Sequence, residues 1–107
     1  MIKTLIKNYF TAWNMQDINA LKMLVTEDIS LKDWELEVNG IEDFIIANKK
    51  IFSDNIDINA DVQNITVSDK SCFALIKLKV ESSHLDVIDY FTLRDNKINK
   101  IQAFRCF

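Results

Sequence analysis

Residues 82–95 read "SSHLDVIDYFTLRD", and every second side chain from Leu85 to Leu93 is apolar except one. Leu85, Val87, Asp89, Phe91 and Leu93 share a face, because side chains on a β-strand alternate with period two. Asp89 cannot turn to the other face without moving the whole row with it. A carboxylate in apolar surroundings is costly, so it finds a counter-charge or keeps a proton. The segment is therefore a half-buried strand with one exceptional residue on its inner face.

Working outward, the same alternation continues. Cys72, Ala74, Ile76, Leu78 and Val80 share a face, as do Ile56, Ile58, Ala60 and Val62, and "KINKIQAFRCF" (97–107) forms a last strand. The connections "SDK", "SS" and "DN" are short, which implies antiparallel neighbours in chain order. A two-residue turn at Ser82 and Ser83 sets Asp89 opposite Ile76 and Val87 opposite Leu78. The "DN" turn admits two registers. A two-residue loop puts Gln102 opposite Asp89, with Phe104 and Cys106 on that face. A loop one residue longer puts Ala103 there, with Ile101 and Arg105. Arg105 then lies diagonal to Asp89, in reach to hold it ionised.

The first half is helical in period. Ile2, Leu5, Ile6, Tyr9 and Trp13 line one side of a helix over 2–15. Asp17 reads as the N-cap of a second, short helix with Leu21, Leu24 and Val25 inward. "DISLKD" (28–33) is a short strand with Ile29, Leu31 and Asp33 on one face, and "WELEVNG" (34–40) is a loop. Gly40 precedes a helix carrying Ile41, Phe44, Ile45 and Phe52 near one side. The order gives an α+β fold, a curved antiparallel sheet packed by about three N-terminal helices. Phe73, Leu75, Ile88 and Tyr90 fall on the outer sheet face, joined after a bulge by Ile65 and Val67. An apolar outer face points to a homodimer formed through it.

With 107 residues the chain is expected to be one domain spanning 1–107. The formal charge of -3 and sequence pI near 5.0 argue against nucleic acid as a partner, since no basic excess displaces counterions. Cys72 and Cys106 have no metal-ligand spacing and His84 is the only histidine, so neither metal nor cofactor is expected. Two reduced thiols suit a cytoplasmic protein. No apolar run approaches the roughly 18 residues of a membrane span. "MIKTLIKNYF" lacks the apolar core of a signal peptide, so no membrane partner is expected.

Tyr9, Asp33 and Asp89 interrupt inward-facing apolar rows. Each has an ordinary explanation: a core tyrosine bonded to a carbonyl, an aspartate capping a strand end, an aspartate paired with a neighbouring cation. His84 reads as a solvated turn residue, and the aromatics at helical and strand spacing as ordinary core.

The stretches "NYFTAWNMQDINALKMLVTEDISLKD" (8–33) and "VIDYFTLRDNKINKIQAFR" (87–105) resemble the opening and closing segments of the nuclear transport factor 2-like superfamily, and within it the ketosteroid isomerases and SnoaL-like polyketide cyclases. The resemblance covers nearly the whole chain and implies a cone-shaped fold. It places Tyr9 where ketosteroid isomerases hydrogen-bond the substrate oxygen, Asp33 on their proton-shuttling base, and Asp89 on their protonated acid, the second oxygen donor. Only a neutral carboxyl donates a hydrogen bond, and apolar neighbours favour that form. Trp34 stands where the family commonly has proline, and the loop from Asp33 to Gly40 is shorter than in typical ketosteroid isomerases. Glu35 and Glu37 add acidity beside the base position.

The implied activity is a cofactor-independent isomerase, cyclase or related proton-transfer enzyme acting on a small apolar, carbonyl-bearing molecule. The alternative is a non-catalytic ligand-binding or dimerisation module of the same fold. Trp13, Trp34, Phe91, Ile76, Ala103 and Arg105 are the expected pocket-lining residues.

Overall fold

The computed structural model describes residues 1–106, so Phe107 of the last segment lies outside the described residues. Three helices, α1 (Ile2–Asn14), α2 (Ile18–Leu24) and α3 (Ile41–Asp54), pack against six strands. The strands are β1 (Val25–Lys32), β2 (Glu37–Asn39), β3 (Asn59–Ser68), β4 (Ser71–Val80), β5 (Ser83–Arg94) and β6 (Lys97–Cys106). They form one curved, open sheet in the order β2-β1-β6-β5-β4-β3. The architecture is the α+β cone that the sequence resemblance implies.

The strands from β3 to β6 run antiparallel, as their short turns imply. The sheet as a whole is mixed, because β1 pairs β6 in parallel. That long-range pairing leaves no turn signal in the sequence. β1 also starts earlier than expected: α2 stops at Leu24, and Val25 enters the strand as a buried core residue. The segment read as a loop contains β2, an edge strand of three residues paired with the end of β1.

Local chemistry explains the boundaries. Asp17 caps α2, its side chain accepting from the Ala20 N–H at 3.1 Å. Gly40 precedes α3 at φ +91, a left-handed conformation that suits a residue without Cβ. Glu42 and Asp43 then complement the positive end of the α3 dipole. Asp95 and Asn96 both have positive φ and form the tight turn between β5 and β6.

Two bulges decide which side chains face the helices. In β3 the register shifts between Val62 and Asn64, which sets Ile65 opposite Ala74 and Val67 opposite Cys72. Both therefore return to the inner face, and Ile65 is buried in the core, contrary to the expected outer position. In the last hairpin, Arg94 pairs Lys97 across a two-residue turn, but the register shifts between Thr92 and Leu93, leaving Asn99 as an extra residue. The Thr92 hydroxyl bonds Asn99 Oδ1 at 2.8 Å. Beyond that bulge Ala103, not Gln102, lies opposite Asp89, with Ile101 and Arg105 on the same face. The β4–β5 turn is Glu81–Ser82 rather than Ser82–Ser83, with Glu81 at φ +56. Pairing shifts by two residues, so Asp89 faces Ala74 instead of Ile76 and keeps its inward side.

The open edge at β3 is covered by a side chain. Asn14 Oδ1 accepts from the Ala60 N–H at 2.7 Å, and Asn14 Nδ2 donates to the Ala60 carbonyl at 2.9 Å. One amide thereby satisfies a rung that the sheet leaves unpaired and ties the end of α1 to β3. Asn14→Ala is expected to lose about 1–3 kcal/mol in urea denaturation, the cost of leaving those groups unbonded. Amide exchange at Ala60 should speed up with it, whereas a cost without local exposure there would contradict this account.

Candidate active site

The inner face of the sheet carries a short cross-strand row. β1 and β6 pair up to Lys32 and Gln102, so Asp33 lies level with Ala103. Ala103 pairs Asp89, and Asp89 pairs Ala74 on β4. Two strand spacings separate the backbones of Asp33 and Asp89, roughly 10 Å. Alanine stands on both sides of Asp89, so the sheet floor is low there. The helices roof this floor, leaving a cavity of about 130 Å³.

Tyr9 reaches the cavity from α1. It is buried, packed edge-on against Phe10 at 5.3 Å and Phe91 at 5.6 Å between ring centroids. Phe91 is two residues beyond Asp89 on β5, so it holds the Tyr9 ring near that carboxyl. Neither the Tyr9 hydroxyl nor the Asp89 carboxyl makes a hydrogen bond to the described residues, and no fully buried side-chain polar atom among them lacks a partner. The polar ends of both side chains therefore open onto the cavity they line.

Asp33 begins the β1–β2 turn. Its Oδ1 accepts from the backbone N–H of Glu35 at 2.7 Å and of Leu36 at 2.9 Å. These bonds fix the carboxylate at the cavity wall. The capping role expected of a strand-end aspartate is thus real, and it occupies one oxygen of two.

The electrostatics separate the carboxyls. Asp89 is half-buried and lines the cavity, and the protein packed around its carboxyl desolvates it. That desolvation, with a smaller contribution from the charge of Asp33, raises its pKa from 3.8 to about 7. Burial also pushes the Tyr9 hydroxyl far up, helped by the Asp89 charge, so it keeps its proton at neutral pH. Arg105 shares the inner face of β6, opposite Val87, but it is exposed and forms no ion pair with Asp89. The sheet's bidentate ion pair is elsewhere, between Arg94 and Asp28.

Tyr9, Asp33, Asp89, Trp13, Trp34, Ile76 and Ala103 all line the cavity. Two expected lining residues do not: Phe91 is fully buried behind Tyr9, and the Arg105 side chain lies outside. Several apolar lining residues, and one polar one, were not among those expected. Asn48 on α3 is 1% exposed, accepts from Trp13 Nε1 at 2.9 Å and donates to the Phe44 carbonyl at 2.9 Å. Its signal was available, since Asn48 lies midway between Phe44 and Phe52 at helical spacing. No cluster of three His, Cys, Asp or Glu side chains occurs among the described residues.

The raised Asp89 pKa has a stability consequence of definite sign. The folded chain binds this proton more tightly than the unfolded chain. Stability from this group is fully present below about pH 4 and is lost as pH rises toward about 7. Asp89→Asn should therefore gain on the parent by up to about 1.4 kcal/mol per pH unit across that window and level off above it. Carboxyl ¹³C NMR should find Asp89 titrating near 7. Asp33→Asn should lower that midpoint without returning it to the ordinary range, because burial is the larger cause. An ordinary midpoint in the parent protein would refute the enclosed-carboxyl account.

Comparison with solved structures supports the architecture. A provisional ketosteroid isomerase from Kribbella flavida DSM 17836 superposes with a TM-score of 0.89 at 16% identity, covering 97% of this chain and 76% of that one. A provisional polyketide cyclase from Sinorhizobium meliloti gives 0.88 at 18% identity, covering 94% and 93%. A nuclear transport factor 2-like protein of unknown function from Cytophaga hutchinsonii ATCC 33406 gives 0.87 at 11%, covering 99% and 90%. At such identities the likeness concerns the fold. Comparison with curated proteins gives no match. The sequence itself matches the SnoaL-like domain over residues 6–101, and the chain belongs to that family.

Proposed function

We propose that this chain is a single-domain, cofactor-independent enzyme that moves a proton next to a carbonyl in a small apolar molecule, in the manner of an isomerase or cyclase. The observation that carries the reading is the Asp33–Ala103–Asp89 row under Tyr9, facing one cavity. Asp33 is the base: its Oδ2 takes a proton from carbon while its Oδ1 stays bonded to the turn. Electron density moves to the carbonyl oxygen, and Tyr9 with protonated Asp89 donates to that oxygen. Asp33 then returns the proton at the same or a neighbouring carbon. A positioned base contributes roughly 10² to 10⁴-fold and each oxygen donor about 3–4 kcal/mol.

A second reading has its own support. Because Asp33 Oδ1 already caps the turn, the residue has a structural use without catalysis, which suits a ligand-binding or dimerisation module. Solvent-deuterium exchange into 2-cyclohexenone, followed by proton NMR, separates the two. The enzyme reading expects exchange that Asp33→Asn slows by about 10² to 10⁴-fold while binding persists. Tyr9→Phe should slow it about 10² to 10³-fold. The rate should fall as pH rises through about 7, where Asp89 loses its donor proton. Exchange indifferent to both substitutions would favour the module.

The homodimer belongs to the same proposal. Phe73, Leu75 and Phe104 are exposed on the outer sheet face, where Phe73 and Tyr90 stack at 4.8 Å. Leu75→Lys together with Phe104→Lys should convert a sedimenting dimer to monomer, while an unchanged sedimentation coefficient would move the interface elsewhere. Among the described residues no helix is long and apolar enough to cross a membrane. Cys72 and Cys106 are both unpaired, which suits a reducing cytoplasm.

A further inference from the structure

The cavity walls define a ligand class narrower than the fold family suggests. The cavity between sheet and helices holds about 130 Å³ and opens to solvent on one side. A cavity of roughly 150 Å³ accepts benzene, whereas drug-sized ligands need about 300–1,000 Å³. Two indoles, Trp13 and Trp34, stand among the cavity walls. Trp13 is locked between its bond to Asn48 at 2.9 Å and an edge-on contact with Phe52 at 5.2 Å between centroids. Trp34, 41% exposed at the tip of the β1–β2 turn, forms the wall beside Asp33.

Charge restricts the occupant further. Asp33 and Asp89 both line the cavity, and no Lys, Arg or His does. An anionic ligand would bring a third acidic group into this enclosure with no cation to meet it, at a large desolvation cost. Tyr9 and Asp89 instead offer hydrogen-bonding ends to a neutral oxygen.

We infer that the site takes a single-ring molecule with a neutral oxygen function and no anionic group, and that Trp34 is the residue that enforces the ring limit. The inference deepens the proton-transfer reading and relies on it only for calling the ligand a substrate. Size and charge selection follow from the walls whether or not chemistry occurs.

The test is an ¹⁵N–¹H NMR titration of the intact protein at neutral pH with two matched probe sets. Phenol, 2-naphthol and 2-phenanthrol differ in ring number; benzamide and benzoate differ in charge at nearly constant size. Phenol and benzamide should shift cavity amides, among them Trp13 and Ala103. The naphthol should bind at least about tenfold more weakly than phenol, although its extra apolar surface would tighten binding in an open site. Benzoate should bind at least about tenfold more weakly than benzamide. Trp34→Ala, a truncation of a side chain largely outside the core, should restore the naphthol to within about threefold of phenol.

Affinity rising with ring number in the parent protein would overturn the size limit. Benzoate matching benzamide would overturn the charge rule. The absence of cavity shifts with every probe, in a protein whose spectrum is folded, would overturn the site. A ring ranking unchanged by Trp34→Ala would remove that residue from its role. Failure of the proton-transfer reading looks different: Asp33→Asn leaves deuterium exchange unaffected while the ring ranking stays intact.

Discussion

The extra residue at Asn99 fixes which side chains of β6 face the helices, and the cavity depends on that choice. Without the bulge, the turn at Asp95 and Asn96 would set Gln102 opposite Asp89, with an amide in reach of the carboxyl. With it, a methyl group stands there instead. Asp33 and Asp89 then lie on opposite sides of an alanine, close enough to interact and low enough to leave space above. A single unpaired position thus converts a polar contact into a cavity floor. The Thr92 hydroxyl bonded to Asn99 Oδ1 at 2.8 Å helps hold that register.

Asp89 is the consequence. It could have been neutralised by Arg105, which shares its face, but Arg105 lies opposite Val87 with its side chain exposed. The carboxyl is left between two alanines under an aromatic roof, so the group keeps its proton over most of the acidic range. A carboxyl in that state donates a hydrogen bond and is a poor base. Asp33 is instead anchored by two backbone N–H groups at the sheet rim. Two chemically identical side chains thereby meet different surroundings, one desolvated and one bonded to backbone N–H groups.

Much of this was legible in the chain. Alternation fixed the inward side of Asp89 and Asp33, helical spacing fixed that of Tyr9, and Asp17 announced its helix. What stayed hidden was parity. A two-residue turn with a bulge and a three-residue loop without one place Ala103 identically, so the register could be reached by either route and the sequence does not choose between them. A bulge near Val62 was foreseen, but it carries Ile65 to the core rather than to the outer face expected of it. The parallel pairing of β1 with β6 was invisible because no local turn records it. Asn48 was passed over because polar residues on amphipathic helices usually face water, and its reason for burial, the Trp13 indole, lies 35 residues away.

The same hidden contact bears on what the site can hold. The family fold tolerates many ligands, and resemblance alone would allow a large polycycle. Here the roof is narrowed by Trp13, and Trp13 is fixed because Asn48 satisfies its N–H in a place where an unbonded indole would be costly. Asn48 is in turn held by the Phe44 carbonyl of its own helix. One wall of the cavity is therefore held in place by a chain of satisfied polar groups running from α3 to α1, while its acidic groups come from the sheet. A substitution in either layer would change the cavity while leaving the fold in place.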